Sequence, residues 1–247
     1  MNDSVVKSVG RVFEVLELFD AERVALSATS IARTLKYPAS STVALLKSMV
    51  QLAYLTYDNA ERTYFPTPRL ALVGAWLEKD FFVDGHLLEL MNDIAASTDE
   101  SIYLSWQSDL EVHYIRVRGT EGLQSTPTVG TRAPLFRSIA GLTALSLKRD
   151  VEIVKMVERL NHQRRKHEPQ VDLATAMEQI RRFRTQGYGV GYDGMLPGYG
   201  SVAWVVRQKG TSRSLVISVL GATERLKAKE KAVVQAVKAA IQRAGAA

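Results

Sequence analysis

Hydrophobic residues recur at helical spacing in the first third of the chain. They fall three or four positions apart over residues 8–19 and again over 26–35, where Ser27 is a residue type that caps helix N-termini. Pro38 follows, and proline disfavours helix at the residue before it and starts a new helix well. The spacing therefore predicts a helix over 8–19 and then a helix-turn-helix, whose second helix begins at Pro38.

The helix predicted over residues 38–55 has two unlike faces at about 100° per residue. Its small, polar arc consists of Ser40, Ser41, Ala44, Lys47, Ser48 and Gln51. Its packing arc consists of Thr42, Val43, Leu45, Leu46, Met49, Val50 and Leu52. Small side chains let a polyanion approach, and Ser, Thr, Lys and Gln donate hydrogen bonds to phosphates and base edges. An ordinary surface helix has the same two arcs, so the arcs alone leave both interpretations open.

A β-hairpin is predicted directly after this helix. Residues 54–57 and 62–65 are rich in β-forming types, and 58–61 has the composition of a turn. A hairpin at this place is a wing, from which Arg62 could reach the minor groove or the backbone while the helix lies in the major groove. The combination of helix and wing favours DNA binding over a solvated helix.

The sequence thus predicts a winged helix-turn-helix DNA-binding domain over residues 1–67. The candidate DNA contacts are Lys7, Arg11, Arg33, Ser40, Ser41, Thr42, Val43, Lys47, Arg62 and Tyr64. Pro66 and Pro68 end this domain, and an apolar, helical pattern over 69–82 predicts a connecting helix within residues 68–84. The exposed apolar residues of that helix would suit a dimer contact.

The pattern changes from His86 onwards, and a second domain is predicted over residues 85–247. Its helices are expected over 86–96, 138–147, 149–160, 172–186 and 224–244. Its strands are expected over 101–106, 111–117, 123–129, 201–206 and 214–220, the last two joined by a turn at Lys209 and Gly210. A glycine-rich run over 187–192 is expected to end the helical stretch. Strands covered by helices on one face indicate an α+β domain with an antiparallel sheet.

Composition and charge narrow the functional classes. The chain of 247 residues has a net charge of +6 and a pI near 9.5, which suggests a polyanionic partner. Residues 1–78 nevertheless carry eight basic and eight acidic residues, so the excess lies in the rest. No stretch has the ~18 apolar residues of a membrane span, the first residues lack a signal-peptide pattern, and there is no cysteine. We therefore expect a soluble, cytoplasmic protein without a membrane partner.

Enzymatic chemistry finds no support in the motifs. The four histidines lack metal-ligand spacing, and no phosphate-binding loop of the Walker type occurs. The glycines around 187–194 lack dinucleotide-binding spacing, and Ser138 has no His or Asp at a recognisable distance in sequence. We expect no catalytic residue, no metal and no cofactor.

The whole chain resembles bacterial transcriptional regulators of the IclR type. The first part is similar in KSVGRVFEVLELF (7–19), LSATSIARTL (26–35), PASSTVALLKSMVQLAYL (38–55) and YFPTPRLALVG (64–74). The second part is similar in ESIYLSW (100–106), VGTRAPLFRSIAGLTAL (129–145), QGYGVGYDGMLPGYGSVAWVV (186–206) and LVISVLGA (215–222). The resemblance implies a homodimer or dimer of dimers, with a GAF-like domain that binds a small metabolite and changes the affinity for an operator in double-stranded DNA.

Two positions depart from the family pattern in the DNA-binding part. Ala39 and Ala44 stand where the family usually has basic residues. The alternative is therefore a module for small-molecule binding or oligomerisation, whose winged helix no longer binds DNA.

The resemblance also implies an effector pocket. Its candidate residues are Tyr103, Phe136, Arg137, Ser138, Ile139, Ala140, Asp193, Ser201, Trp204, Ser218 and Leu220. Apolar walls with a few hydroxyl donors suit an aromatic ligand, whose carboxylate Arg137 could hold.

Overall fold

A computed structural model describes residues 6–82, 86–119, 127–164, 168–207 and 214–245, with side chains undescribed at 76–82. The chain divides into two compact units, Met1–Phe81 and Phe82–Ala247.

The first unit is a helix-turn-helix with a small sheet. Its elements are α1 (Lys7–Glu22), β1 (Leu26–Ser27), α2 (Ala28–Leu35), α3 (Ala39–Gln51), β2 (Leu55–Asp58), β3 (Thr63–Pro66) and α4 (Arg69–Phe82). The strands form an antiparallel sheet in the order β1-β3-β2, in which β2 and β3 are the wing. The predicted architecture is confirmed, with one difference: Leu26 and Ser27 pair with β3 and do not begin the helix.

Local signals explain where these elements begin and end. The Ser27 side chain accepts a hydrogen bond from the backbone N–H of Ser30 and so caps α2. At the tip of the wing, Asp58 Oδ1 accepts from the N–H groups of Ala60 and Glu61, which closes the turn. Beneath α3 and the sheet, one core holds Val15, Phe19, Ile31, Leu46, Met49, Leu55 and Tyr64.

The second unit is built on a six-stranded antiparallel sheet. Its helices are α5 (His86–Thr98), α6 (Ile139–Leu145), α7 (Asp150–Gln163), α8 (Leu173–Gln186) and α9 (Thr223–Ala244). Its strands are β4 (Ser101–Ser108), β5 (Glu111–Arg118), β6 (Arg132–Pro134), β7 (Gly189–Tyr192), β8 (Tyr199–Arg207) and β9 (Ser214–Ala222). The strand order is β6-β5-β4-β9-β8-β7, and the predicted α+β class is confirmed.

Helices cover both faces of this sheet, so the expectation of a single covered face is wrong. Side chains alternate along a strand, and in β8 Ala203 belongs to the core formed with α6, α7 and α8. Gly200 lies three positions before Ala203 and therefore belongs to the opposite face, where a Cβ would lie 3.1 Å from Leu226 of α9. Helices α5 and α9 pack on each other and on this second face. The sheet is therefore a middle layer.

The strand predictions differ from the structure at two places. Gly189–Tyr192 forms β7, which pairs with β8, although the glycines there predicted only the end of a helix. Beside β5 the structure has β6, and the strand expected over 123–129 is not seen at residues 127–129, its remainder lying outside the described residues. The turn expected at Lys209 and Gly210 also lies outside them.

A buried carboxylate ties α9 to the start of β4. The side chain of Glu100 is fully buried, and both of its oxygens accept from the Arg225 guanidinium at 2.7 Å. Lys229 Nζ lies 2.9 Å from Glu100 Oε1 and donates to the Thr98 carbonyl at 2.6 Å. Burial alone would raise the pKa of Glu100, but the hydrogen bonds from the two cations outweigh it and hold the pKa below its ordinary value.

Replacing this carboxylate should destabilise the second unit. Glu100→Gln removes one partner of a buried pair, but Arg225 is half exposed and can rehydrate. We therefore expect a loss of about 2 kcal/mol at pH 7, or about 5 °C in Tm. Because the folded-state pKa is lowered, this stabilisation is complete above the ordinary value of 4.5 and is lost as the pH falls below it.

Thermal unfolding of the parent chain and of Glu100→Gln, at pH 7 and at pH 4, measures this loss of stability. Asp150→Asn is the matched control, because Asp150 pairs with Arg181 and Arg184 on the surface and should change Tm little. A Tm of Glu100→Gln equal to that of the parent chain at pH 7 would contradict the expected role.

Candidate functional site

The polar arc of α3 faces solvent, as the sequence predicted. Ser40, Ala44, Lys47, Ser48 and Gln51 are all exposed. Two of the hydroxyl groups bond to the helix backbone, since Ser41 Oγ donates to the Pro38 carbonyl and Ser48 Oγ to the Ala44 carbonyl, each at 3.0 Å. A hydroxyl that donates to its own helix can still accept a hydrogen bond.

A groove of about 590 Å³ lies between α3, the N-terminus of α2 and the wing. Lys47 from α3 and Arg62 from the wing both line it, and Val43 forms part of its apolar wall. Arg62 lies in the left-handed region, with φ of 56°, at the end of the wing turn. The groove has cationic groups on two opposite elements and an apolar floor. Such a groove can take a phosphate backbone between the helix and the wing.

Two of the predicted DNA contacts, Thr42 and Tyr64, have buried side chains. Thr42 is only 1% exposed, and its hydroxyl donates to the Pro38 carbonyl at 3.0 Å. Tyr64 is 6% exposed and packs in the core against Leu46, with its ring centroid 4.7 Å from that of Tyr57. Burial raises the pKa of Tyr64. Thr42 therefore supports α3 from within, whereas Tyr64, although buried, lines the groove between α3 and the wing.

The remaining basic residues of the prediction lie on α1 and α2. Lys7 begins α1 and Arg33 lies in the last turn of α2, both exposed. The Arg11 guanidinium lies 4.6 Å from the centre of the Tyr37 ring. The Tyr37 hydroxyl donates to Glu14, and burial together with this bond raises the pKa of Tyr37 to about 12. Arg11 is thus held against the turn that precedes α3.

A cavity of about 240 Å³ opens in the second unit between the sheet and helices α6 and α8. Of the predicted effector residues, those that line it are Tyr103, Phe136, Arg137, Ser138, Ile139, Ala140, Ser201, Ser218 and Leu220. They come from β4, the β6–α6 connection, the start of α6, β8 and β9. The pocket that the family resemblance implied thus groups residues that are far apart in the chain but close in space.

The cavity has an aromatic wall and a hydroxyl without a partner. The rings of Tyr103 and Tyr114 meet edge to face with centroids 5.5 Å apart. Burial and the neighbouring Tyr103 raise the pKa of Tyr114 to about 12, so its hydroxyl is neutral at pH 7. Ser218 is 3% exposed, and its Oγ has no hydrogen-bond partner in the described structure. A buried polar atom of this kind is costly unless something bonds to it.

The rim of the cavity is set by the start of α6. Ser138 caps this helix, its Oγ accepting from the Gly141 N–H at 3.0 Å, so its other lone pair and its proton remain for a ligand. The preceding residue, Arg137, is exposed at the rim. Arg182 and Gln179 of α8 also line the cavity.

Asp193 and Trp204, two predicted effector contacts, lie outside the cavity lining. Asp193 Oδ1 accepts from the Gly198 N–H at 2.8 Å and from Thr223 Oγ1 at 2.9 Å, which turns the carboxylate towards α9. Trp204 lies on the other face of β8 from Ser201, because three positions separate them along a strand. Its ring stacks on Tyr188 at 5.5 Å.

Several lining residues were not predicted. They are Tyr114, Pro127, Leu142, Gln179, Arg182, Val190, Gly191, Tyr192, Gly194, Met195, Leu196, Tyr199 and Gly200. Strand alternation could have found both tyrosines, since Tyr114 lies two positions from the buried Val112 and Tyr199 lies two positions from Ser201, a predicted lining residue. The α8 residues carry no local signal, because only the packing of that helix places them here.

The loop that covers one side of the cavity is fastened to α9. Gly194, Met195 and Leu196 of the β7–β8 loop line the cavity, as does the preceding Tyr192. The Tyr192 hydroxyl donates to Glu230 of α9, and burial and this bond raise the pKa of Tyr192. The Asp193 bond to Thr223 makes a second link to α9.

Within the residues that the structure describes, no helix is long and apolar enough to cross a membrane. Nor do any His, Cys, Asp or Glu side chains there cluster in a way that could hold a metal ion.

Comparison with solved structures shows the same fold over almost the whole chain. The chain matches an IclR transcriptional regulator from Alicyclobacillus acidocaldarius with a TM-score of 0.72 and 22% identity, covering 97% of this chain and 98% of that one. The IclR of Thermotoga maritima matches with a TM-score of 0.67 and 15% identity, covering 97% and 99%. An IclR homologue from Microbacterium hydrocarbonoxydans, solved in complex with 4-hydroxybenzoate, matches with a TM-score of 0.69 and 18% identity. The match covers 96% of this chain and 99% of that one.

Family models identify both units. Residues 8–59 match the IclR helix-turn-helix domain, and residues 86–245 match the C-terminal domain of bacterial IclR transcriptional regulators. A comparison with curated protein sequences gives no match. The C-terminal match alone covers more than half of the chain. The protein therefore belongs to the IclR family of transcriptional regulators, with a DNA-binding helix-turn-helix and an effector domain, and is not an enzyme.

Proposed function

We propose that the protein is a ligand-responsive regulator that binds an operator through α3 and the wing. In this proposal a small aromatic metabolite binds in the 240 Å³ cavity of the second unit and changes the affinity for DNA. The observation that carries it is the unpartnered Oγ of Ser218, buried in a cavity whose lining includes several rings and aliphatic groups. A ligand with a polar atom would satisfy this hydroxyl.

The size of the cavity supports a ligand with one ring. An engineered protein cavity of about 150 Å³ holds benzene, so 240 Å³ leaves room for a ring and its substituents. Tyr103, Tyr114 and Phe136 offer ring faces and edges for stacking. The relative from Microbacterium hydrocarbonoxydans, which was solved with 4-hydroxybenzoate, has the same fold and supports an aromatic acid as the ligand class.

The DNA side of the proposal rests on the groove of the first unit. Lys47 and Arg62 project from two elements into one groove, and the small side chains of α3 leave its outer face open. We infer that the Lys47 and Arg62 side chains bind phosphates on either side of α3, while Ser40 and Val43 lie towards the bases. Ala39 and Ala44 supply no charge, so Lys47 and Arg62 are the cations that α3 and the wing bring to this groove.

We propose that the active form is a homodimer or a dimer of dimers. On α4, Leu72 is 71% and Val73 55% exposed, and on α1 the side chains of Val9 and Phe13 are exposed one turn apart. Apolar faces of this kind suit contact with a second copy of the chain. Two winged helices would then bind half-sites about one helical turn, or a multiple of it, apart. A regulator of this kind acts at the chromosome, and we therefore propose a cytoplasmic location.

Ligand occupancy could reach the connecting helix through α9. The cavity loop is bonded to α9 through Tyr192 and Asp193, and α9 packs along α5. An ion pair of 3.7 Å between Arg243 and Asp93 adds a link between these two helices. Helix α5 follows α4 in the chain. A loop that closes over a ligand would thus shift the populations of two arrangements of α9, α5 and the connecting helix.

Removing the Tyr192 hydroxyl should weaken this coupling. Tyr192→Phe keeps the ring in the cavity wall but breaks the bond to Glu230. We expect ligand affinity to change less than about threefold, while the effect of the ligand on DNA affinity shrinks severalfold. Calorimetry gives the first quantity and fluorescence anisotropy of a labelled operator gives the second. An unaltered ligand effect on DNA would exclude this route.

A salt titration tests the DNA-binding part of the proposal. A labelled fragment of the DNA upstream of the gene should bind the full chain with an affinity that falls steeply as salt rises, because phosphate contacts release counterions. A protein that only oligomerises would bind no fragment in this way. That second result would favour the alternative of a binding module without DNA recognition.

A further inference from the structure

The described lining of the cavity carries two arginines and no acidic residue. Arg137 comes from the β6–α6 connection and Arg182 from α8, so two separate elements bring positive charge to one small space. Asp193, the acidic residue next to this lining, is already engaged with the Gly198 N–H and with Thr223 Oγ1. The charge of the arginines is therefore not balanced inside the cavity.

Both guanidinium groups have donors to spare. Arg182 Nη2 donates to the Val190 carbonyl at 3.5 Å, a long bond that holds the group beside the cavity wall, and its Cζ lies 5.3 Å from the centre of the Phe183 ring. A guanidinium has five N–H donors, which leaves a planar fork for a carboxylate. Arg137 projects from the rim next to Ser138. A carboxylate at either position would form a charge-assisted pair.

We propose that the ligand is an aromatic dianion, with one carboxylate held by Arg137 and the other by Arg182. This inference rests on the proposed effector site and names the charge of what binds there. A ligand with one negative charge leaves one of the two guanidinium groups of this concave space without an anionic partner. Two negative charges match the two cations of the lining, and the aromatic ring between them fills the apolar part.

Isothermal titration calorimetry of the full chain with matched benzene carboxylates tests this. The probes are phthalate, isophthalate and terephthalate, whose carboxylates differ in spacing, together with monomethyl terephthalate and benzoate. The monomethyl ester keeps the size of terephthalate but loses one charge. We expect at least one dicarboxylate to bind tenfold or more tightly than both singly charged probes, and its advantage to shrink as salt is raised.

Variants in α8 then test whether Arg182 binds the second carboxylate of the ligand. Arg182→Gln should abolish the advantage of the dicarboxylate over the singly charged probes, while Arg182→Lys should restore part of that advantage, because lysine keeps the charge but not the fork. Arg181→Gln is the matched control, since Arg181 pairs with Asp150 at 3.1 Å and does not line the cavity. This control should leave every probe unaffected.

The outcomes separate this inference from the proposed function. Equal affinities for terephthalate, its monomethyl ester and benzoate would overturn the dianion and leave an aromatic-acid site standing. A dicarboxylate advantage that survives Arg182→Gln would overturn the role of Arg182. If no probe binds, both the dianion and the aromatic effector site are contradicted.

Discussion

Removing Lys47 and Arg62 together should lower the affinity for any DNA sequence about 100-fold near 100 mM salt. Each side chain is expected to bind a phosphate, and a dimer loses four such contacts. The slope of log K against log salt should therefore fall by about 3 to 4. Lys47→Ala suits an exposed helical position, and Arg62→Asn suits the positive φ of the wing turn. Fluorescence anisotropy over a range of salt concentrations measures both quantities.

The control for this experiment is Arg23→Gln. Arg23 lies at the C-terminus of α1, pairs with Asp20 and does not line the groove, so its removal changes the net charge of the first unit without touching the groove. The control should keep nearly the parental slope. If the double variant kept that slope as well, the docking of α3 and the wing on DNA would be wrong.

Gly141→Ala should unfold or displace the rim of the ligand cavity. A Cβ at this position would lie 2.0 Å from the Leu135 carbonyl oxygen and 2.8 Å from Ser138 Oγ. The first of these atoms is backbone and cannot rotate away, so α6 must move off the β6–α6 connection. We expect a loss of about 3 kcal/mol, or roughly 10 °C in Tm, and loss of ligand binding even at temperatures where the variant is folded.

Gly194→Ala provides the comparison for this substitution. Gly194 lines the cavity, but a Cβ there would meet nothing within 4 Å. Its Tm should stay within a degree or two of the parent. Differential scanning calorimetry gives both Tm values, and equal stability of Gly141→Ala and Gly194→Ala would show that α6 does not depend on the close approach to Leu135.

Periodicity predicted the parts of the fold in which one face is buried. The solvent-facing arc of α3 follows from the 3.6-residue repeat alone, since Leu46 and Met49 must point away from Lys47 and Ser48. The wing was evident from two β-rich runs around a turn-forming segment. The family resemblance was needed for the cavity, because its residues come from strands and connections that periodicity does not bring together.

Side-chain alternation along β8 explains why Trp204 does not line the cavity. Ser201 and Trp204 were both expected in the cavity, although residues three apart on a regular strand face opposite ways. Residues two apart, such as Ser218 and Leu220, can share a face, and both line the cavity. Thr42 was expected both to pack and to contact DNA, and its burial settles the conflict in favour of packing.

Other features of the site depend on tertiary structure alone. Glycines 189 and 191 gave β7 no strand signal, yet pairing with β8 makes it an edge strand. Arg182 reaches the cavity because α8 packs beside β7 and α6. The bond from Tyr192 to Glu230 joins residues 38 positions apart. No pattern within a single segment could predict these contacts.

The dissociation constant of the full chain for its own upstream DNA, with and without ligand, tests ligand-controlled DNA binding most directly. The ligand is the benzene carboxylate that calorimetry finds to bind most tightly, added at saturation and at constant ionic strength. We expect it to change the dissociation constant by at least about fivefold, the lower end of allosteric coupling. The same dissociation constant with and without saturating ligand would contradict the proposed regulation.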